Sequence, residues 1–215
     1  MRRESVILGA IIAVSLLILG GAAFLLSNPQ QAPQEEKVTD IALLLGSKDH
    51  TIGTQSAKVT IVEFADFQCP ACGSAYPVVK QITEEYKDKI EFVYRHFPLP
   101  GHRNAIPAAQ AAEAAGKQGK FFEMADLLFS NQAEWSEGNG AKEVFEGYAE
   151  SLELDMEMFK ADRDSSDTTA YIQKDQNDGL TLGVNSTPTF FIDGEKYSGV
   201  LGYDRLKEIL DSKLQ

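Results

Sequence analysis

Cys69-Pro70-Ala71-Cys72 holds the only two cysteines in a chain of 215 residues. Two thiols kept two residues apart act as one unit, and whatever fold the chain adopts must serve that unit. The run before them, Val59-Thr60-Ile61-Val62-Glu63-Phe64-Ala65-Asp66, is β-branched and aromatic with partial alternation, and reads as a buried strand. The run after them, Tyr76 to Tyr86, has helical character. Cys69 is therefore expected where a strand feeds a helix N-terminus. There the first backbone N–H groups lack partners and the dipole favours an anion. A thiolate is an anion, and it is the form that attacks disulfides. The pair predicts a redox dithiol. Two other uses stand beside it. Half of a zinc site would need further ligands, but there is no second cysteine pair. His50, His96 and His102 are scattered without ligand-like spacing, so no metal site is expected. Inert core thiols seldom fall at this spacing after a strand.

Val6 to Leu26 form an uncharged run of 21 residues. At a rise of about 1.5 Å per residue a helix of that length covers roughly 31 Å, enough to cross a hydrocarbon core of about 30 Å. Arg2 and Arg3 precede it and place its start in the cytoplasm. The run reads as a single-pass anchor in the cell membrane. The alternative is a cleaved signal peptide ending near Gly21-Ala22-Ala23, although such a segment usually has an apolar region of about 7–15 residues. Either reading makes the remainder extracytoplasmic, where disulfides form and persist. The net charge of −12 argues against binding nucleic acid or an anionic membrane surface. Without a disulfide framework the core must hold the fold unaided, which roughly 165 residues in one domain can do.

Residues 1–27 thus read as a cytoplasmic stub and transmembrane anchor, 28–50 as a polar linker, and 51–215 as the folded domain. Within the linker, Asp40 to Leu45 makes a short helical turn at the domain edge. Ile90 to Phe97 is a second core strand, closed by Pro98 and Pro100. Asn104 caps an alanine-rich helix that tolerates Pro107 in its first turn. Phe121, Met124 and Leu128 repeat at helical spacing, as do Val144, Phe145, Tyr148 and Leu152. Asp155 caps a further helix, and Thr168 to Leu182 forms another, ended by Gly183. Thr189–Ile192 and Glu195–Ser198 flank Asp193-Gly194, a two-residue hairpin signal. Leu206, Ile209, Leu210 and Leu214 mark a final amphipathic helix. The order is β–α–β, a helical block, then β–β–α.

That order resembles the thioredoxin fold, and the helical block at about 101–183 resembles the insertion of the DsbA-like thiol–disulfide oxidoreductases. Three segments carry the resemblance, which spans roughly residues 51–215: VTIVEFADFQCPAC, YRHFPLPGHRNAIPAAQAAEAAGKQGKFFEMADLLF and GVNSTPTFFIDG. It implies an α/β thioredoxin-like fold with an inserted helical domain, here preceded by one N-terminal transmembrane helix. It implies that Cys69 is the exposed nucleophile and Cys72 the buried resolving thiol of a redox-active disulfide. Thr187-Pro188 matches the cis-proline loop that receives an extended substrate by strand addition. Glu63 matches the buried acidic position, able to exchange a proton with Cys72. Asp66 reads as solvated and His96 as structural. The dipeptide Pro70-Ala71 lacks the histidine that some strongly oxidising relatives carry. The implied function is a dithiol oxidase acting on thiols of exported proteins, with no dissociable cofactor, reoxidised by a membrane partner of the DsbB or VKOR type. A reductase or isomerase on the same fold is the alternative, and a redox-inactive binding or chaperone module is the third reading.

Overall fold

The computed structural model describes Val38, residues 40–54 and residues 56–215. The Val6–Leu26 run lies outside the described residues, and no described helix is long and apolar enough to cross a membrane. The elements are α1 (Ile41–Leu45), β1 (Thr51–Gly53), β2 (Val59–Ala65), α2 (Pro70–Glu85), β3 (Ile90–His96), α3 (Ala105–Gly116), α4 (Phe121–Ser130), α5 (Gln132–Trp135), α6 (Ala141–Ser151), α7 (Met156–Arg163), α8 (Ser166–Thr181), β4 (Thr189–Ile192), β5 (Glu195–Ser198) and α9 (Tyr203–Leu214).

The strands form one sheet in the order β1-β3-β2-β4-β5. β2 and β3 run parallel, with Val59 opposite Ile90 and Ala65 opposite His96. β4 pairs antiparallel to β2, β5 to β4, and β1 to β3. Both faces of the sheet are covered, so the central strands are buried on either side. Strand alternation sorts their residues. Val59, Ile61, Phe92, Tyr94, Phe190 and Ile192 pack on the face carrying α2, α9 and the helical block. Val62, Phe64, Val93, Phe97 and Phe191 pack on the opposite face with Leu44 and Val184. A period of two therefore decides that Glu63, between Val62 and Phe64, shares the first face with Tyr94 and Phe190, its pairing partners.

The second face is closed by α8. Gly179 approaches the sheet so closely that a Cβ there would stand 2.7 Å from Phe97 and 3.0 Å from Phe64. Gly183 at φ +73° ends the helix. Its N–H donates to the Leu180 carbonyl and the Val184 N–H to the Gly179 carbonyl, the paired reverse bonds of a left-handed helix stop. Under α8 lies Arg95, fully buried. It donates to Asp175 Oδ1 at 2.7 Å, to Asp178 Oδ2 at 2.5 Å, and to the Leu43 and Leu44 carbonyls. The last two bonds hold the turn α1, capped by Asp40 accepting from the Leu43 N–H, against the folded domain. Leu44 is core, because Arg95 needs carbonyl acceptors and the second face needs apolar cover.

The hairpin forms as its dipeptide demands. Asp193 and Gly194 both take positive φ, 51° and 82°, and Asp193 Oδ1 accepts the Thr60 N–H. Asp155 caps α7 by accepting from Glu157 and Met158. Asn104 occupies the residue before α3 but makes no capping bond. Its backbone is helical there (φ −98°, ψ 0°), and its amide turns to the carbonyls of Trp135, Ser136 and Gly138 instead.

Candidate active site

Cys69 sits between β2 and α2 as the N-cap of α2, in extended conformation, with Pro70 as the first helical residue. Proline suits that position because its missing N–H would be unpaired anyway. The helix begins two turns earlier than Tyr76, so Cys72 lies within its first turn. Both cysteines are free thiols and both are buried; Cys69, expected to be exposed, is only 6% accessible because the Thr187 loop packs over it. The Cys69 thiol donates to the Thr187 carbonyl at 3.4 Å, and the Thr187-Pro188 bond is cis. Sequence positions 118 residues apart are thereby brought into contact.

The two sulfurs have opposite electrostatics. Cys69 is lowered to about 5, first by the hydrogen bond from the Cys72 thiol, then by Thr187 and the backbone N–H groups of Cys72 and Ala71, against the opposing effect of burial. Cys72 is raised well above the ordinary thiol range by burial, by its bond to Cys69 and by the nearby charge of Glu63. The Thr187 hydroxyl is buried and has no partner while Cys69 is a thiol. It is free to donate once the sulfur is ionised, which is the sense of its contribution to Cys69.

Glu63 is buried, and burial raises its carboxyl to about 8. It lines a largely apolar cavity of about 570 Å³ with Tyr76, Lys80, Phe92, Tyr94, Asp126 and Phe129.

Asp66 is not solvated. It is buried, accepts from the Gln68 and Leu99 N–H groups at 2.8 and 2.9 Å, and contacts His102 Nδ1 at 2.6 Å. Ending the strand, its carboxylate gathers the active-site turn and the loop after β3, where these N–H groups converge. Two glutamines hold the same turn. Gln132 on α5 donates to the Phe67 and Cys69 carbonyls. Gln68 donates to the Ser136 carbonyl and accepts from the Asn104 N–H. Nothing in their local sequence marks them, since an amide reveals its acceptors only once the fold is closed. A cleft of about 450 Å³ beside Pro70, Gly73, His102 and Gln132 adjoins the dithiol. Pro70 and Ala71 occupy the first turn of α2, and Ala71 packs against the core.

His96 ends β3 and has an unexpected neighbour. His50 and His96, without any ligand-like spacing, meet at Glu113. Both Nε2 atoms reach Glu113 Oε1, at 2.5 and 2.6 Å. Burial alone would raise Glu113, but the bonds from His50 and His96 lower it to about 2. His102 lies apart, at Asp66.

The model of a thioredoxin family, Thioredoxin_4, matches residues 46–212. The chain belongs to that family. A thioredoxin-like oxidoreductase from Silicibacter pomeroyi superposes with a TM-score of 0.69 at 27% identity, covering 80% of this chain and 95% of that one. The thiol–disulfide exchange protein α-DsbA2 of Wolbachia pipientis superposes with a TM-score of 0.71 at 20% identity, covering 80% and 90%. The fold is thus the DsbA-like one, thioredoxin with a helical insertion. Among curated proteins, a Na(+)/H(+) antiporter NhaA 1 of Salinispora arenicola is 38% identical over 77% of this chain. The chain spans only 24% of that relative's length, so most of the antiporter has no counterpart here.

Proposed function

We propose that this protein is an extracytoplasmic dithiol oxidase that introduces disulfides into exported proteins through the Cys69–Cys72 pair. A substrate thiolate attacks Cys69 Sγ of the disulfide, and Cys72 leaves and takes up a proton. A second substrate thiolate then attacks the substrate sulfur of the mixed disulfide and releases Cys69 as a thiolate. Two electrons pass from the substrate dithiol to the cysteine pair, and a membrane partner of the DsbB or VKOR type withdraws them. Thr187 and Pro188 receive the substrate backbone, and Val6–Leu26 anchors the domain to the membrane. The observation that carries the direction is the stabilised Cys69 thiolate at the N-terminus of α2. A low-pKa thiol is a good leaving group, and stabilising the reduced form makes a disulfide oxidising.

The test is the reduction potential against glutathione, together with insulin reduction. A potential above about −200 mV is the expected result, and one near about −270 mV would assign the reductase role. Failure to reduce insulin at all would leave a redox-inactive binding module.

The same thiolate sets a pH dependence. The Cys69 pKa is depressed in the folded reduced protein. Its contribution to stability is fully present above the unfolded thiol value of about 8.5 and is lost as pH falls through about 5. The disulfide form has no such group. Melting both forms from pH 4 to 8 should show the reduced form gaining on the oxidised one as pH rises, with thiolate absorbance titrating near 5. A constant gap, with titration near 8.5, would remove the thiolate argument.

Glu63→Gln should slow proton exchange at Cys72, and hence turnover, by about 10²-fold, the usual scale of general acid–base help. It should also flatten a stability slope. The native carboxyl keeps its proton up to about 8 while the unfolded one loses it near 4.5, so wild-type stability falls between those values. The glutamine variant lacks that fall. Equal stopped-flow rates in the two proteins from pH 6 to 8 would make Glu63 a packing residue only.

A further inference from the structure

We propose that His50, His96 and Glu113 form a binding site for a divalent transition-metal ion of the zinc class. The three come from separate parts of the fold: the segment before β1, the last residue of β3, and the third turn of α3. Their relative exposures are 5%, 1% and 7%, so all are committed to the interior. Their ligand atoms lie within 4.8 Å of one another, and both imidazole Nε2 atoms converge on one carboxylate oxygen. Two imidazoles and one carboxylate are a donor set that suits zinc, nickel or cobalt and does not suit calcium or magnesium, which take oxygen ligands.

The geometry needs little adjustment. Zinc bonds of about 2.0–2.1 Å in a tetrahedral array separate ligand atoms by roughly 3.4 Å. The present 2.5 and 2.6 Å contacts must therefore open by about 1 Å, which a turn of the Glu113 side chain supplies. Each imidazole would then present the Nε2 lone pair and carry its proton on Nδ1.

The surroundings hold the rings in place. Phe121 stacks on His50 with centroids 3.5 Å apart and planes 8° from parallel, and meets His96 edge-on at 5.9 Å. Tyr171 lies edge-on to both imidazoles, at 6.0 and 6.3 Å. Such a shell orients ligands and limits their motion. A way in exists as well. A cavity of about 450 Å³ is lined by His50 and Glu113 and by Asp49, Asp167, Tyr171 and Lys117, the last paired with Asp162. A metal there would tie α3, in the helical insertion, to the sheet and to the segment leading into β1. The dithiol is a separate unit and uses none of these residues.

The test uses the oxidised full-length protein, whose closed disulfide cannot ligate metal, with Zn²⁺ and Co²⁺ as probes. Competition against a chromophoric chelator should give one equivalent of Zn²⁺ per chain. Co²⁺ should give d–d bands without thiolate charge transfer. Zn²⁺ should raise the melting temperature by mass action. Glu113→Gln and His50→Gln, which keep volume and hydrogen-bonding capacity, should each lower affinity at least about 100-fold. Circular dichroism in the presence of chelator establishes that each variant folds. Where one does not fold, X-ray absorption on the wild-type zinc complex replaces it, and two imidazoles with oxygen and no sulfur are expected. No stoichiometric binding by the oxidised wild type, unchanged affinity in the folded variants, or an absorption spectrum without imidazole would overturn the site. The cluster would then be a buried ionic tie and nothing more.

Discussion

Cys72→Ser is expected to turn the protein into a trap that accumulates mixed disulfides with thiol-bearing clients through Cys69. The Cys69 sulfur keeps its helix N-terminus and its contact with Thr187. What is lost is the buried thiol that resolves the adduct. Cys69→Ser is expected to accumulate none, because the Cys72 thiol is held protonated well above neutral pH whereas the Cys69 thiol is not. Turnover should fall by at least about 10³-fold in both variants, since no other thiol in the chain can substitute. Non-reducing gels of alkylated extracts separate the two cases, and equal adduct levels would overturn the roles given to the two sulfurs.

Arg95→Met is expected to cost about 3–5 kcal/mol of stability, because it leaves Asp175 buried without its cation and Asp178 with Lys174 alone. It also frees the Leu43 and Leu44 carbonyls, so α1 should detach. The melting temperature should drop by roughly 10 °C. Adding Asp175→Asn and Asp178→Asn should recover a large part of the loss, since the penalty is uncompensated charge rather than lost packing. A single-variant loss below about 1 kcal/mol, as for a surface pair, would show that solvent reaches the pair. Nothing in the isolated string YRHF marks this arginine. The strand alternation that predicts an apolar partner there is broken by a cation whose two acceptors lie 80 and 83 residues away.

The comparison between sequence and fold follows the range of the interactions. Dipeptides and short periods act locally, so they were readable. Asp193-Gly194 takes the positive φ pair its composition allows, Asp155 caps its helix, and Cys69 lies at a strand-to-helix junction. The alternation of β2 was readable too, which left only two faces for Glu63. Its choice of the face with Cys72 and Tyr94 came from the sheet order. The Asn104 cap failed because its amide has three carbonyl acceptors on a loop more than thirty residues away. Asp66 was misread because its acceptor role depends on Leu99 and His102, both beyond the next strand.

By itself the sequence determined the dithiol, the strand that delivers it, the hairpin and the order of elements. Each depends on backbone preferences and side-chain periods within a few residues. Only the tertiary structure decided which ionisable groups would be brought together. Asp66 with His102, Arg95 with Asp175 and Asp178, and Glu113 with His50 and His96 are all long-range pairings. The physical reason is that a buried charge must find its partner within a few ångströms, whatever the separation along the chain. Parallel pairing of β2 with β3 and the helices packed on either face of the sheet create those meetings.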